Sequence, residues 1–197
     1  MQEAFVGNWT QESHLSAEIL DSLRDLNHRF LDLTAARPRD WVAGCVAPLS
    51  AAQRAAAAGC PYALFDLRFQ DDGYWCSRLQ VPGSWRVADE VVADDETVNF
   101  VRLALFYAWH VASGAGLKPQ LLLGMNGGTA AAFRRITVNR LPSLVATEAV
   151  HLSARWNGCT AYWSALTAAA SSADAAALRR VQLYGLQLAA AARLSSP

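Results

Sequence analysis

The sequence predicts an all-α protein, a single compact domain of about seven to nine helices with room for one short β-hairpin within residues 60–92. Three observations carry that expectation. Apolar residues recur at three- and four-residue steps over the longest segments. Alanine dominates the second half, where it favours helix because it gives up no side-chain entropy. Of 197 residues, 53% are hydrophobic and 17% charged, enough for one large core and too apolar for disorder.

The first helix is expected over about Ser13–Ala35, where Leu15, Ile19, Leu23, Leu26, Phe30 and Leu33 form one apolar stripe opposite Asp21, Asp25, Arg29 and Asp32. Pro38 stops it, since the residue before a proline disfavours helix. A short turn of helix around Trp41–Val46 follows. Ser50 and Gln53 then read as a capping box that opens an alanine-rich helix closed by Gly59. Residues 60–92 admit two readings, because Phe65, Leu67 and Phe69 alternate with Asp66, Arg68 and Gln70 after a helix-start Pro61. Helix is favoured for 61–69, and a loop or short hairpin for 74–88. The acids of 89–96 suit a helix N-terminus, where carboxylates complement the dipole. The helix they introduce, about 95–113, is apolar almost all round and is expected at the centre of the core. Shorter helices follow over Pro119–Gly124, Thr129–Ile136, Val138–Val150 (with Pro142 at a kink or in a first turn) and Thr160–Ala170. The last runs from about Asp174 to Leu194, with Leu178, Val181, Tyr184, Leu188 and Ala192 inward.

Charge divides the chain more sharply than any motif. The formal net charge is zero, yet residues 1–98 carry 15 Asp/Glu against 8 Lys/Arg, while residues 99–197 carry Glu148 and Asp174 against 9 Lys/Arg. The expected organisation is an acidic helical half, 1–98, and a basic helical half, 99–197, sharing one core. Two causes fit such a division: the halves dock on each other, or the basic half faces an external anionic partner. Both stay open from sequence.

Several function classes are disfavoured. No run of about 18 uncharged apolar residues offers a membrane span. The opening stretch, residues 1–14, lacks a basic region followed by an apolar core, so no signal peptide is expected and the expected location is cytoplasmic. Cys45, Cys60, Cys76 and Cys159 form no close pair of the kind zinc sites use, and His14, His28, His110 and His151 are equally scattered. They read as small core hydrophobes and helix-face residues, and no metal or cofactor is expected. Asp66, Asp71 and Asp72 read as a solvated loop rather than a carboxylate site. There is no nucleophile elbow, phosphate loop or metalloprotease helix. Gly124-Met125-Asn126-Gly127-Gly128 reads as a turn in which glycine supplies positive φ. No catalytic residue is assigned.

The sharpest functional signal lies in 117–150. An apolar helix breaks at glycine, a small-residue helix ending in Arg134-Arg135 follows, and Thr137 leads to a further helix. Short helices around glycine turns are the pattern of helix-turn-helix modules. Arg134, Arg135, Asn139 and Arg140 are the candidate DNA-binding residues, able to reach phosphates or base edges. The structural alternative is a solvated bundle surface that happens to carry arginines.

From about Leu103 to Leu194 the chain resembles the D subunit of the flagellar master transcriptional regulator. The resemblance rests on Leu122-Leu123-Gly124-Met125, the small-residue helix 130–135 with Phe133 and Arg134, and Ile136-Thr137 leading to Leu141 and Leu144. It continues through Ala154-Arg155-Trp156 and the run 178–183 of the last helix. It implies a small all-α protein that works in complex with a second subunit and binds DNA chiefly within that complex. The family's cysteine that bonds two copies is matched here by Leu152, so covalent dimerisation is not implied, and residues 1–98 have no counterpart. The leading expectation is therefore a non-enzymatic regulatory or adaptor protein with a protein partner. Nucleic acid and a homo-oligomer stay open as further partners. A helical protein-binding scaffold or chaperone-like subunit is the second reading. An enzyme using an aromatic pocket of Tyr62, Phe65, Trp75 and Trp109 is a distant third.

Overall fold

Ser16 opens the first helix, its hydroxyl accepting the Ile19 N–H at 3.4 Å, and α1 (Ala17–Ala36) buries Leu23, Leu26, Asn27, Phe30 and Leu31 along one face. The computed structural model describes residues 16–37, 40–80, 93–114 and 116–194; the start expected at Ser13 lies outside them. Asp40 caps α2 (Trp41–Val46) through the Ala43 N–H at 2.9 Å. Ser50 and Gln53 make both reciprocal bonds of the expected capping box at the head of α3 (Ala51–Ala57).

Residues 61–80 depart from the sequence reading. The stretch expected to be helical, 61–69, is an irregular extended chain through the interior, in which β1 (Phe65–Asp66) pairs antiparallel with β2 (Ser153–Ala154). The strand falls inside 60–92 and its partner comes from the second half of the chain. Phe65, Leu67 and Phe69 are wholly buried while Arg68 and Gln70 face out, so the two-residue alternation, not Pro61, was the governing signal. Conversely, the loop or hairpin expected from residue 74 is helical as far as Gln80, in α4 (Asp72–Gln80). Asp71 caps it through the Tyr74 N–H at 2.9 Å, and the buried Trp75 and Leu79 are one turn apart. Residues 81–88 lie outside the described chain.

An extended segment inside a helical core must find partners for its backbone elsewhere. Asn27 supplies partners along its first part: its amide donates toward the carbonyls of Ala58 (3.3 Å), Cys60 (3.3 Å) and Tyr62 (2.9 Å), and its oxygen accepts from Leu64 N–H at 2.9 Å. From the second half, Ala63 N–H donates to Leu122 at 2.7 Å and Arg155 N–H to Leu64 at 2.8 Å. Phe65 also closes an aromatic triangle with Phe30 and Phe100, ring centroids 5.1–6.1 Å apart.

Phe100 belongs to α5 (Asp95–Ser113), which packs against α1 and against three later helices, α6 (Lys118–Leu123), α7 (Gly127–Arg135) and α8 (Leu141–Glu148). It is the central helix the sequence predicts, although Arg102, Leu103 and His110 keep one edge in solvent. Pro142 sits in the first turn of α8, where its missing N–H costs nothing. Two antiparallel helices finish the chain: α9 (Thr160–Ser172) and α10 (Ala175–Leu194). Gly185 lets α10 approach closely, because the Tyr62 hydroxyl occupies the space a Cβ would fill and donates to Val181 O at 3.4 Å. Among the described residues, no helix is long and apolar enough to cross a membrane.

The N-terminus of α5 yields a test. Burial would raise the Asp94 carboxyl, but bonds from Thr97 N–H and hydroxyl and the Arg37 guanidinium outweigh it and hold the group down at about 2, from an ordinary 3.8. A depressed carboxylate stabilises the fold above its unfolded pKa and loses that effect as pH falls through the folded one. Asp94→Ala is therefore expected to cost about 1 kcal/mol at neutral pH in urea unfolding. The gap to wild type should close as pH drops from 3.8 towards about 2. A gap that stays constant to the lowest pH contradicts this assignment.

Candidate functional site

The candidate surface is built on the glycine turn between α6 and α7. Gly124 ends α6 at φ 73°, and a Cβ there would lie 2.5 Å from Arg155 Nη2, so both backbone and space demand glycine. Asn126 then caps α7 by accepting the Thr129 N–H at 2.9 Å, and its amide donates to Gln70 O at 2.7 Å. Phe133 pins α7 onto α4 through Trp75, with centroids 4.7 Å apart, and Phe69 at 6.1 Å. What remains in solvent at the end of α7 is Arg134 and Arg135.

The four sequence-predicted residues divide by exposure. Arg134 is exposed, with its Nε donating to Ala112 O at 3.0 Å, which anchors its stem to the last turn of α5. Arg135 is exposed and borders a shallow groove of about 270 Å³ that Cys76, Leu79, Ala132 and Ile136 also line. Asn139 is exposed in a 3-10 turn, Val138–Arg140, that leads into α8. Arg140 is half-buried and turned inward, its Nη1 donating to Leu79 O at 3.2 Å. The corner is braced by Trp109, whose indole N–H donates to Ile136 O at 3.0 Å.

This arrangement bears on the charge division. Among the described residues, acids of the first half pair within that half: Asp94 and Glu96 with Arg37, Asp32 with Arg54 at 2.6 Å, and Asp71 with Arg68 at 2.5 Å. The ion pair that crosses between halves runs against the expected sign, with Arg78 of the acidic half on Glu148 of the basic half at 3.1 Å. Glu148 is completely buried and also accepts the Tyr74 hydroxyl at 2.8 and 2.9 Å. Burial and that carboxylate push the Tyr74 phenol well above its ordinary range.

A second cross-half pair of charges lies beside the β1–β2 bridge. Burial lowers the Arg155 guanidinium to about 10, opposed by Asp66. Burial raises the Asp66 carboxyl, opposed by the Phe69 N–H bond and Arg155. Asp66 thus serves the interior, Asp71 caps α4, and the three aspartates at 66, 71 and 72 do not act as one carboxylate site. Among the described residues, no group of three or more His, Cys, Asp or Glu is placed to hold a metal ion. Tyr62, Phe65 and Trp75 of the aromatic set are fully buried in the packed core. Burial also pushes the Cys60 thiol up to about 11, against bonds from Tyr162 and Tyr62, so it is protonated and unreactive at neutral pH.

Sequence reasoning missed Glu148 and Arg155 as organising residues. The signal available was that Glu148 is one of two acids among residues 99–197, inside an otherwise apolar helix. Comparison with protein-family models, curated protein sequences and solved structures finds no match to this chain.

Arg78→Ala would leave the buried Glu148 carboxylate without its ion-pair partner. Breaking a buried pair from one side costs about 3–5 kcal/mol. Urea unfolding of Arg78→Ala is expected to show a loss of that size, with the Arg78→Ala/Glu148→Gln double variant recovering part of it. A loss below about 1 kcal/mol, the range of surface pairs, contradicts the pair's role in joining α4 to α8.

Proposed function

We propose that the protein is a non-catalytic regulatory adaptor, working through a protein partner and through nucleic-acid phosphates held at the α7–α8 corner. One observation carries the reading. Arg134 and Arg135 stand exposed together at the end of α7, outside the ion pairs among the described residues, while Asp32, Asp71, Asp94 and Glu96 are engaged by arginines of their own half. Two adjacent cations left in solvent suit an external anion better than self-neutralisation.

The mode of contact follows from which part of α7 is exposed. A recognition helix reads bases with polar side chains near its N-terminus. Here the exposed N-terminal positions are Gly127 and, partly, Gly128 and Ala131, and exposed polar side chains within the helix appear only in the last turn. The corner therefore suits backbone phosphates, with Asn139 as an added donor, and sequence discrimination would come from a partner. The resemblance of residues 103–194 to a regulator subunit that binds DNA within a complex agrees with this reading. A protein-binding scaffold is the second reading, favoured by exposed Leu117, Leu121, Leu183 and Leu186.

A duplex-DNA titration at about 50 and about 200 mM salt tests the proposal. Wild type is expected to bind with a negative log–log salt slope, and Arg134→Ala/Arg135→Ala to flatten it by about 0.9 per lost phosphate contact. The double variant should fold normally, since both side chains are exposed. Absence of binding at the lower salt rules out the nucleic-acid branch and leaves the scaffold reading.

A further inference from the structure

The exposed arginines of the α7 corner continue onto α5. Between Glu96 and Glu148 the chain carries five Lys/Arg and no acid, so α5 has no negative charge beyond its first turn. Arg102, Phe106, Trp109 and Ser113 recur at steps of four, three and four, which sets them on one stripe of that helix. Arg102 and Ser113 are exposed, and Phe106 and Trp109 are half-buried. The stripe is about 16 Å long at 1.5 Å per residue. It runs into the corner, because the Trp109 indole N–H donates to Ile136 O at 3.0 Å and Arg134 Nε to Ala112 O at 3.0 Å. Arg102 takes no part in the ion pairs among the described residues, and neither do Arg134 and Arg135. Along this surface a cation is followed by two aromatic rings and then by a pair of cations.

We propose that the stripe and the corner together bind single-stranded nucleic acid in preference to duplex. The inference rests on the phosphate-binding reading of the corner and deepens it by naming the form of nucleic acid. Arginines alone suit either form, since both present phosphates. The rings distinguish the two. In a duplex the base faces are stacked on one another and closed to a protein ring, whereas a single strand offers them to Phe106 and Trp109. Rings set between cations match a ligand in which bases accompany a charged backbone. Trp109 is held by its N–H edge on Ile136 O, so its ring is placed before a base arrives and less ordering is needed on binding. Arg102 extends the phosphate contacts beyond the corner. Stacking does not discriminate among bases, which agrees with the absence of exposed polar side chains early in α7.

Fluorescence anisotropy of the full chain with a labelled oligothymidylate of about 16 nucleotides, a duplex of the same length, and polyglutamate as competitor tests it. The single strand is expected to bind about tenfold or more tighter than the duplex at equal salt. Phe106→Leu should raise the single-strand Kd by about fivefold or more, the worth of one stacked base, and leave duplex binding unchanged. Arg102→Ala should flatten the single-strand salt slope by about 0.7. Both variants should fold normally, because Arg102 is exposed and half-buried Phe106 is replaced by another large apolar residue. Duplex bound as tightly as the single strand overturns the proposal and leaves the phosphate-binding corner standing, as does Phe106→Leu binding oligothymidylate like wild type. Polyglutamate that displaces the oligonucleotide at equal charge concentration identifies an acidic protein partner instead and overturns it. Binding of neither nucleic acid removes this inference and the phosphate reading together.

Discussion

An extended chain cannot cross the inside of a helical protein unless other elements answer its backbone, and here one side chain, Asn27, answers four groups between Ala58 and Leu64. Seven of residues 60–69 are buried, with Pro61 and Asp66 half-buried and Arg68 facing out. Each unsatisfied amide or carbonyl there would cost about 1–3 kcal/mol. Asn27 sits on α1 with no exposure of its own and meets Ala58, Cys60, Tyr62 and Leu64. The groups it cannot reach are met from later in the chain: Leu122 for Ala63, Arg155 for Leu64, and the indole of Trp75 for Leu67 at 3.1 Å. The segment is therefore where the acidic and basic halves become one core.

The same segment explains how the charge division is accommodated. Asp32, Asp71, Asp94 and Glu96 sit beside arginines of their own half, and exposed pairs of this kind contribute little stability. The charges that do cross between halves each set one buried group against a half-buried one: Glu148 against Arg78, and Arg155 against Asp66. The first joins α4 to α8, and the second lies beside the β1–β2 bridge. Among the described residues, Arg134 and Arg135 take no part in those ion pairs.

Much of the helical frame was legible because its signals are local. The capping box of Ser50 and Gln53, the N-cap acids of α5 and the apolar stripe of α1 each depend on residues within one or two turns. Residues 61–80 were misread for the opposite reason. Phe65 and Asp66 form a strand whose partner is about ninety positions away, and nothing local announces Ser153–Ala154. Trp75 and Leu79 satisfy both a two-residue and a four-residue period, so only Asp71 as a cap distinguishes helix from strand. At the candidate site, exposure of Arg134 and Arg135 follows from their place at a helix end. The inward turn of Arg140 does not, since its acceptor, Leu79 O, belongs to a helix that was read as a loop. Glu148 and Arg155 were passed over because a charge is normally read as surface, and here both are buried.

The most direct test of this account is equilibrium urea unfolding of Asn27→Ala, followed by tryptophan fluorescence and by far-ultraviolet circular dichroism. The substitution removes one acceptor and the amide shared by three carbonyls, and a loss of at least about 3 kcal/mol is expected, at about 1–3 kcal/mol per orphaned buried group. Wild type should unfold in a single transition, coincident in both signals, because 60–69 ties the two halves into one unit. A variant within about 0.5 kcal/mol of wild type, or separate transitions for the two halves in the wild-type chain, would contradict it.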